Sequence, residues 1–445
     1  MVSRLLADYG MVFVLALLCA FFSFATYTEQ HPTGAEAGPE LAASILSQSG
    51  KSARVLVAVP NQPDAVAFAD ALQTALANAG ATVVATVKGE PKDARAALQA
   101  AASAGKLDVI AGTQASAGWL VFADLATDFP ALGTPRLVQP QTYRWPNFLK
   151  RDNLLNIANQ IAVIAIVAIG MTMVIIGGGI DLSVGSLIAL AAVLAALFIR
   201  EFAGAQQATA LGMTLACVAA ILIAGGAGAV SGAMVTVFHL PPFIVTLAMM
   251  LVASGAAYLL THGQSVYQVP DSFVWLGRGA GFLGLPNAVL LMALLYGVAH
   301  LVMARTVLGR YLYAVGGNRL AARYSGVPVR RVLLVSYAVS GLLAGVGGVV
   351  LASQLKSGSP TFGQMYELYV IAAVVVGGAS LNGGTGRMFG TLIGAFIIAV
   401  IQNGMNLMNV ESYTQKVVLG LVILGAVLLD LLRHRGWKLQ LTATE

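Results

Sequence analysis

Residues 171–190 read MTMVIIGGGIDLSVGSLIAL. A run of methionine and β-branched residues stops at three successive glycines, and a second apolar run opens at Ser186. Between them stand one carboxylate, Asp181, and one hydroxyl, Ser183. The meaning of this break depends on its surroundings. The chain has 445 residues, 58% of them hydrophobic and 10% charged, with mean hydropathy +0.81. Soluble domains carry roughly 25% charged residues. Polar groups cannot cover so much apolar surface, so much of the chain faces lipid. Backbone that leaves the helix at membrane depth must satisfy its polar groups in protein or in a watery cavity.

A second break has the same layout. Residues 371–387 read IAAVVVGGASLNGGTGR, and a run containing Thr-Leu-Ile-Gly follows. Paired glycine interruptions in the two halves of a transporter point to the solute route. The translocation-pathway candidates are Gly177, Gly178, Gly179, Asp181 and Ser183 in the first break, and Gly377, Gly378, Asn382 and Arg387 in the second. Each break holds one ionisable group, Asp181 or Arg387. A charge in a spanning region needs a partner or water. Either the two pair across the repeat, or both are hydrated in interfacial loops. Thr172, Asn159, Gln160, Asn403 and Asn406 are weaker pathway candidates, because such side chains equally serve as glue between helices.

Outward from the breaks, apolar runs cover 154–176, 186–198, 209–238, 243–260, 288–304, 332–352, 369–376, 388–401 and 417–432, with one more at 11–27. A spanning helix needs about 20 apolar residues, and several runs are shorter. The expected fold is an all-α polytopic membrane protein of about ten transmembrane helices, with a small α/β extracytoplasmic insert between helices 1 and 2. Residues 1–27 form an N-terminal anchor, read as retained rather than as a cleaved signal peptide. Residues 28–150 form the insert, 151–433 the transmembrane domain and 434–445 a tail. Cys19 and Cys217 lie in apolar runs and read as packed or lipid-facing thiols, not a disulfide.

The insert holds more than half of the 19 acidic residues. Arg54–Val59 reads as a strand, 65–79 as a helix stopped by Gly80, 81–87 as a strand, 91–104 as a helix opened by Pro91, and 107–111 as a third strand. Such alternation implies parallel strands with right-handed crossovers.

Basic loops set the orientation. Arg305, Arg310, Arg319, Arg323, Arg330 and Arg331 crowd one loop, and Arg433, Arg435 and Lys438 end the chain. Ten crossings put both segments and both termini in the cytoplasm, and the insert outside. Within the arginine loop, Asn318 is an N-cap, Leu320–Tyr324 a short helix and Gly326 its stop. A capped helix outside the membrane suits a lever for a partner protein; an ordinary connector with topology-setting arginines is the alternative.

Several motifs in order resemble the permease subunits of ribose-, xylose- and galactose-type ABC importers. They are NLLNIANQIAVIAIVAIGMTMVI, GGIDLSVGS, GGN with AARYSGVPV, YEL with IAAVVVGGASLNGGTGR, and GTLIGA. The resemblance covers nearly all of residues 148–432. It implies a permease working as a homodimer or paired with another permease in the bacterial inner membrane. It further implies a cytoplasmic ABC ATPase, where ATP binds, and a periplasmic sugar-binding protein. By the same resemblance the ATPase-coupling candidates are Asn318, Arg319, Ala321, Ala322, Arg323, Ser325 and Gly326. The chain departs from the family at Leu320, often acidic, at Tyr369, often Asp, and above all in the insert. The insert looks like the opening of a sugar-type periplasmic binding protein, with only part of one lobe. It either docks the true binding protein or caps the external mouth, or it is a remnant.

No phosphate-cradling G-x-x-x-x-G-K-[ST] loop occurs, nor any H-E-x-x-H or Cys/His ligand set. The expectation is therefore a non-enzyme with no cofactor of its own, no metal and no nucleic-acid partner. The alternatives are a branched-chain amino acid type of ABC permease, an ion-coupled secondary transporter, and a membrane-anchored sensor. Few acids in mid-helix count against the second, and ten runs where one anchor would suffice count against the third.

Overall fold

The computed structural model describes residues 2–435. It divides into two compact units, one of residues 1–26 with 147–445 and one of Tyr27–Pro146. Residues 436–445 of the expected tail, Lys438 among them, lie outside the described residues.

The smaller unit is α/β. Its elements are β1 (Tyr27–Gln30), α2 (Ala37–Ser49), β2 (Arg54–Val59), α3 (Pro63–Asn78), β3 (Thr82–Lys88), α4 (Pro91–Ser103), β4 (Val109–Gly112), α5 (Gln114–Ala117), α6 (Leu125–Asp128), β5 (Arg136–Val138) and β6 (Tyr143–Pro146). The sheet order β3-β2-β4-β5 is parallel throughout. Central β2 is buried from Val55 to Val59, as a strand covered on both faces must be. Helix α4 opens with a reciprocal capping box between Glu90 and Asp93. The three expected strands and two helices are present. Strand β5 went unread because it has three residues and only Leu137 and Val138 are apolar.

The larger unit is helical: α1 (Val2–Ala25), α7 (Arg151–Ile176), α8 (Val184–Phe202), α9 (Ala210–Val237), α10 (Pro242–Thr261), α11 (Asn287–Arg305), α12 (Val307–Gly317), α13 (Arg319–Tyr324), α14 (Val329–Leu355), α15 (Tyr366–Val376), α16 (Met388–Leu407) and α17 (Ser412–Arg435). Seven of the helices, α7 to α11, α14 and α16, are long and apolar enough to cross a membrane. Shorter apolar stretches lie in α1, α15 and α17. This is a mostly helical, polytopic membrane protein.

Burial sorts the helices. The apolar window of α7 is 89% buried, whereas those of α9 and α10 are 28% and 22% buried. Helix α7 is thus the axis of the bundle, and α9 and α10 turn most of their apolar surface outward. Lipid offers no hydrophobic drive between helices, so close packing must come from small residues. Helix α14 supplies them. A Cβ at Gly341 would lie 3.0 Å from the Cα of Gly228 on α9, and one at Gly348 would lie 2.9 Å from Ala191 Cβ on α8. Gly170 of α7 meets α14 at Ser340, 2.6 Å from its Cα.

The apolar run at 369–376 is not a full crossing by itself. Helix α15 has 11 residues, about 16 Å at 1.5 Å per residue, half a bilayer core. The ten residues before it are not helical and run antiparallel to α8. A Cβ at Gly358 would lie 2.7 Å from Ala196 Cβ, and one at Gly363 3.0 Å from Ile188 Cβ. This re-entrant stretch reads as an external loop in the sequence.

The smaller unit is an insertion whose ends meet. Asn147 N–H donates to Thr26 O at 2.9 Å, and β1 pairs with β6 from Tyr27–Pro146 to Gln30–Tyr143. Deleting residues 36–140 leaves this pair joined by a short loop. The truncated protein is expected to remain monodisperse in detergent with an unchanged thermal midpoint for the helical unit. Aggregation on size-exclusion chromatography would contradict this.

Candidate functional site: the glycine junction and the α12–α13 segment

Both breaks close in the same way. After α7, Gly178 N–H donates to Ile175 O at 2.9 Å and Gly179 N–H to Val174 O at 3.0 Å. After α15, Gly378 N–H donates to Val375 O at 2.9 Å and Ala379 N–H to Val374 O at 3.1 Å. Gly178 and Gly378 carry φ of +78° and +89°. These are two Schellman caps, in which a left-handed residue lets the next amide reach back to the last turn.

The first break then turns back into the bundle. Asp181 is fully buried. Its Oδ1 accepts from Ser183 N–H at 3.0 Å and Ser183 Oγ at 2.6 Å, and its Oδ2 accepts from Ser340 Oγ at 2.8 Å. Ser340 also faces Gly170 of α7, six residues before that helix ends, about 9 Å along its axis. Asp181 therefore sits within the membrane unit, not in an interfacial loop. Its partners are two serine hydroxyls and one amide, where the sequence offered Arg387. Nearby, Ile180 O accepts from Thr246 of α10 at 3.3 Å, and the buried Tyr337 hydroxyl lies against Gly179.

The second break packs on the start of the first, where α7 ends. Gly384 N–H donates to Ile176 O at 2.9 Å, satisfying a carbonyl that the end of α7 leaves over. A Cβ at Gly383 would lie 3.0 Å from Gly178 Cα and 3.0 Å from Gly316 O. One at Gly384 would lie 2.8 Å from Gly317 Cα. Tyr313 Oη of α12 donates to Gly386 O at 2.7 Å. Three backbone segments thus meet at Gly177–Gly178, Gly316–Gly317 and Gly383–Gly384.

The remaining candidates are spread out. Gly177 and Gly179 are buried and Gly377 half-buried, while Asn382 and Arg387 are exposed. Thr172 bonds Thr391 at 2.8 Å, and Asn403 and Asn153 exchange amide bonds at 2.8 and 3.0 Å. Asn159 donates to Gly277 O at 3.1 Å and Asn406 accepts from Gln415 at 2.7 Å. These are ties between elements, and Gln160 is exposed.

Helix α13 is as read. Asn318 Oδ1 caps it by accepting from Ala321 N–H at 2.9 Å, and Gly326 with φ +82° stops it. Only Ala322 is buried. Arg319, Ala321, Arg323, Ser325 and Gly326 are exposed, as are Leu320 and Tyr324. Sequence reading missed Tyr313 and Ser340, and it quoted Gly316 and Gly317 in the GGN motif without giving them a contact. The available signal was a hydroxyl in the apolar run of α14 and a glycine pair directly before the Asn318 cap.

These contacts rank the glycines. Nothing lies within 4 Å of a Cβ at Gly378, so alanine there meets only the left-handed backbone penalty, about 1 kcal/mol. Alanine at Gly316 drives a Cβ into Ile176 O and to 2.5 Å from Gly384 N, an overpacking that costs about 3 kcal/mol. Gly316→Ala and Gly383→Ala are expected to lower the thermal midpoint in detergent more than Gly378→Ala. Equal shifts would contradict the junction.

A family model described as branched-chain amino acid transport system / permease component matches residues 153–427. The ribose import permease protein RbsC of Escherichia coli (strain K12) is 44% identical over 289 residues, 64% of this chain and 87% of that protein. RbsC of Bacillus subtilis (strain 168) is 42% identical over 303 residues, 68% and 91% respectively. The D-allose transport system permease protein AlsC of E. coli (strain K12) is 36% identical over 283 residues, 64% and 84%. No solved structure matches. The matched region begins after the insert and takes in both glycine breaks and α13. The chain belongs to this permease-component family and is the membrane-spanning permease subunit of an ABC importer, with ATP hydrolysis left to a separate subunit.

Proposed function

We propose that this permease imports a simple sugar or a related small polar solute, driven by ATP hydrolysed on a cytoplasmic ABC ATPase. The observation that carries the reading is mechanical. The exposed helix α13 continues α12, and α12 touches both glycine breaks through Gly316, Gly317 and Tyr313. A push on α13 therefore reaches the end of α7 and the Gly383–Gly386 part of the second break. The relatives named for ribose and allose favour a sugar over the amino acid of the family description.

The full reading has ten crossings, made by the seven long helices, α1, α17, and α15 with its re-entrant lead. Both termini and α13 then face the cytoplasm, and the insert lies in the periplasm of an inner-membrane protein. Phe22 of α1 rests on Gly404 of α16 and stacks on Phe148 at 6.1 Å, which favours an anchor retained in the bundle. The translocation route runs past the two glycine breaks, between two permease copies or two paired permeases. A periplasmic sugar-binding protein delivers the solute. The insert docks that protein or caps the external mouth. No cofactor is assigned to this chain.

Reconstitution with the ATPase and binding protein tests the reading. Proteoliposomes are expected to accumulate ribose or allose with ATP, and not with an ion gradient alone. Gradient-driven accumulation by the isolated chain would contradict it. Deleting residues 36–140 is expected to lower uptake at least several-fold, and unchanged uptake would leave the insert without a docking role.

A further inference from the structure

One carboxylate of the membrane unit that takes no part in the glycine junction borders a cavity. Glu367, on the first turn of α15, is half-buried, and none of the ion pairs among the described residues involves it. That cavity is half-open, about 310 Å³ in volume, and lies between the start of α8, the middle of α10 and the re-entrant stretch, with Leu251, Gln364 and Met365 exposed at its mouth. Ser186, Ser254 and Gln364 add polar groups, and Met250 and Phe362 add apolar wall.

The cavity lies near half depth. Gly348 of α14 packs against Ile188 O of α8 at 2.5 Å from its Cβ position, and Asp181, just before α8, bonds Ser340. The two helices therefore run parallel, and Gly185 falls between the levels of Ser340 and Gly348. That is close to the centre of the 27-residue helix α14. Substrate sites of transporters built on interrupted helices lie at this depth. Non-helical backbone is tolerated there when it lines a cavity, and Pro360 and Phe362 to Met365 do so.

The carboxylate has a built seat. A Cβ at Gly185 would land on Glu367 Oε2 and 2.6 Å from Gly363 O. Glycine at 185 thus lets the acid group rest against the first turn of α8. The volume is at the small end of ligand pockets, which span about 300–1,000 Å³.

We infer that this cavity is a solute-binding site in the membrane and that Glu367 recognises a neutral polyhydroxylated solute. The inference deepens the import reading and rests on it. A carboxylate accepts hydrogen bonds from two adjacent hydroxyls at once. Serine hydroxyls and the Gln364 amide both donate and accept, as a ring of hydroxyls requires. Phe362 and Met250 meet the C–H face of such a ring. The lining holds no Lys, Arg or His. A solute phosphate would face Glu367 with no cation to balance it, so sugar phosphates are excluded on charge; an amino acid lacks the adjacent hydroxyls and its carboxylate would find no cation in the lining.

The test uses the complete transporter in proteoliposomes, with Cys19 and Cys217 replaced by Ser and Leu251→Cys, on the apolar wall, as a reporter. Saturating ribose or allose is expected to slow maleimide labelling of the reporter, and ribose 5-phosphate or leucine is not. Glu367→Gln keeps the size of the side chain, so it preserves folding. It is expected to abolish that protection and to lower uptake by about tenfold or more, the worth of a charged hydrogen bond. Labelling indifferent to both sugars, protection equally strong with ribose 5-phosphate, or parental uptake in Glu367→Gln would each overturn the site. If the parent transporter itself imports no sugar with ATP, the import reading fails first, and the site falls with it.

Discussion

The membrane unit depends on one backbone contact, the Gly384 N–H donating to Ile176 O beside Gly316. A helix end leaves carbonyls without partners, and each one buried unsatisfied costs free energy comparable to a lost hydrogen bond. The end of α7 meets this demand partly by its own Schellman cap and partly by borrowing an amide from the second break. Backbone can approach that closely only where no Cβ intervenes. The three glycine pairs that meet here are therefore one feature seen three times in the sequence.

The junction divides the first break into two differently held parts. Residues 177–178 touch the second break and α12, and they reach the exposed surface through α13. Residues 180–183 are sealed in the bundle by Ser340 and Thr246. One end of the break is tied to the exposed α12–α13 segment and the other to α14. The half-length helix α15 runs from the Glu367 cavity to the same junction. The proposed lever and the proposed solute site are thus joined through the 11 residues of α15 and the second break.

Much of this was legible in the sequence. The glycine breaks are visible because a run of β-branched residues cannot end at adjacent glycines without a change of backbone. Asn318 and Gly326 bracket α13 by ordinary cap chemistry, and β2 reads as a strand because its buried run is short and bounded by Pro60. What meets what was not legible. Gly316 and Gly317 look like the frayed end of α12, and Ser340 looks like helix glue. Residues 356–365 carry Lys356, Pro360 and two glycines, the composition of an outside loop. Their descent along α8 is decided by close approach at Gly358 and Gly363, which no local pattern encodes. Asp181 was judged by its charge, and its three hydrogen bonds made burial possible without Arg387.

The central claim is that α13 and the second glycine break move as one body during import. Spin labels at Tyr324 and Asn382, both exposed, measure it directly by electron–electron distance in the assembled transporter. The account predicts one narrow distance, the same without nucleotide and with trapped ATP. A change of more than about 5 Å, one helical turn, would show that force on α13 does not reach the junction and would contradict the account.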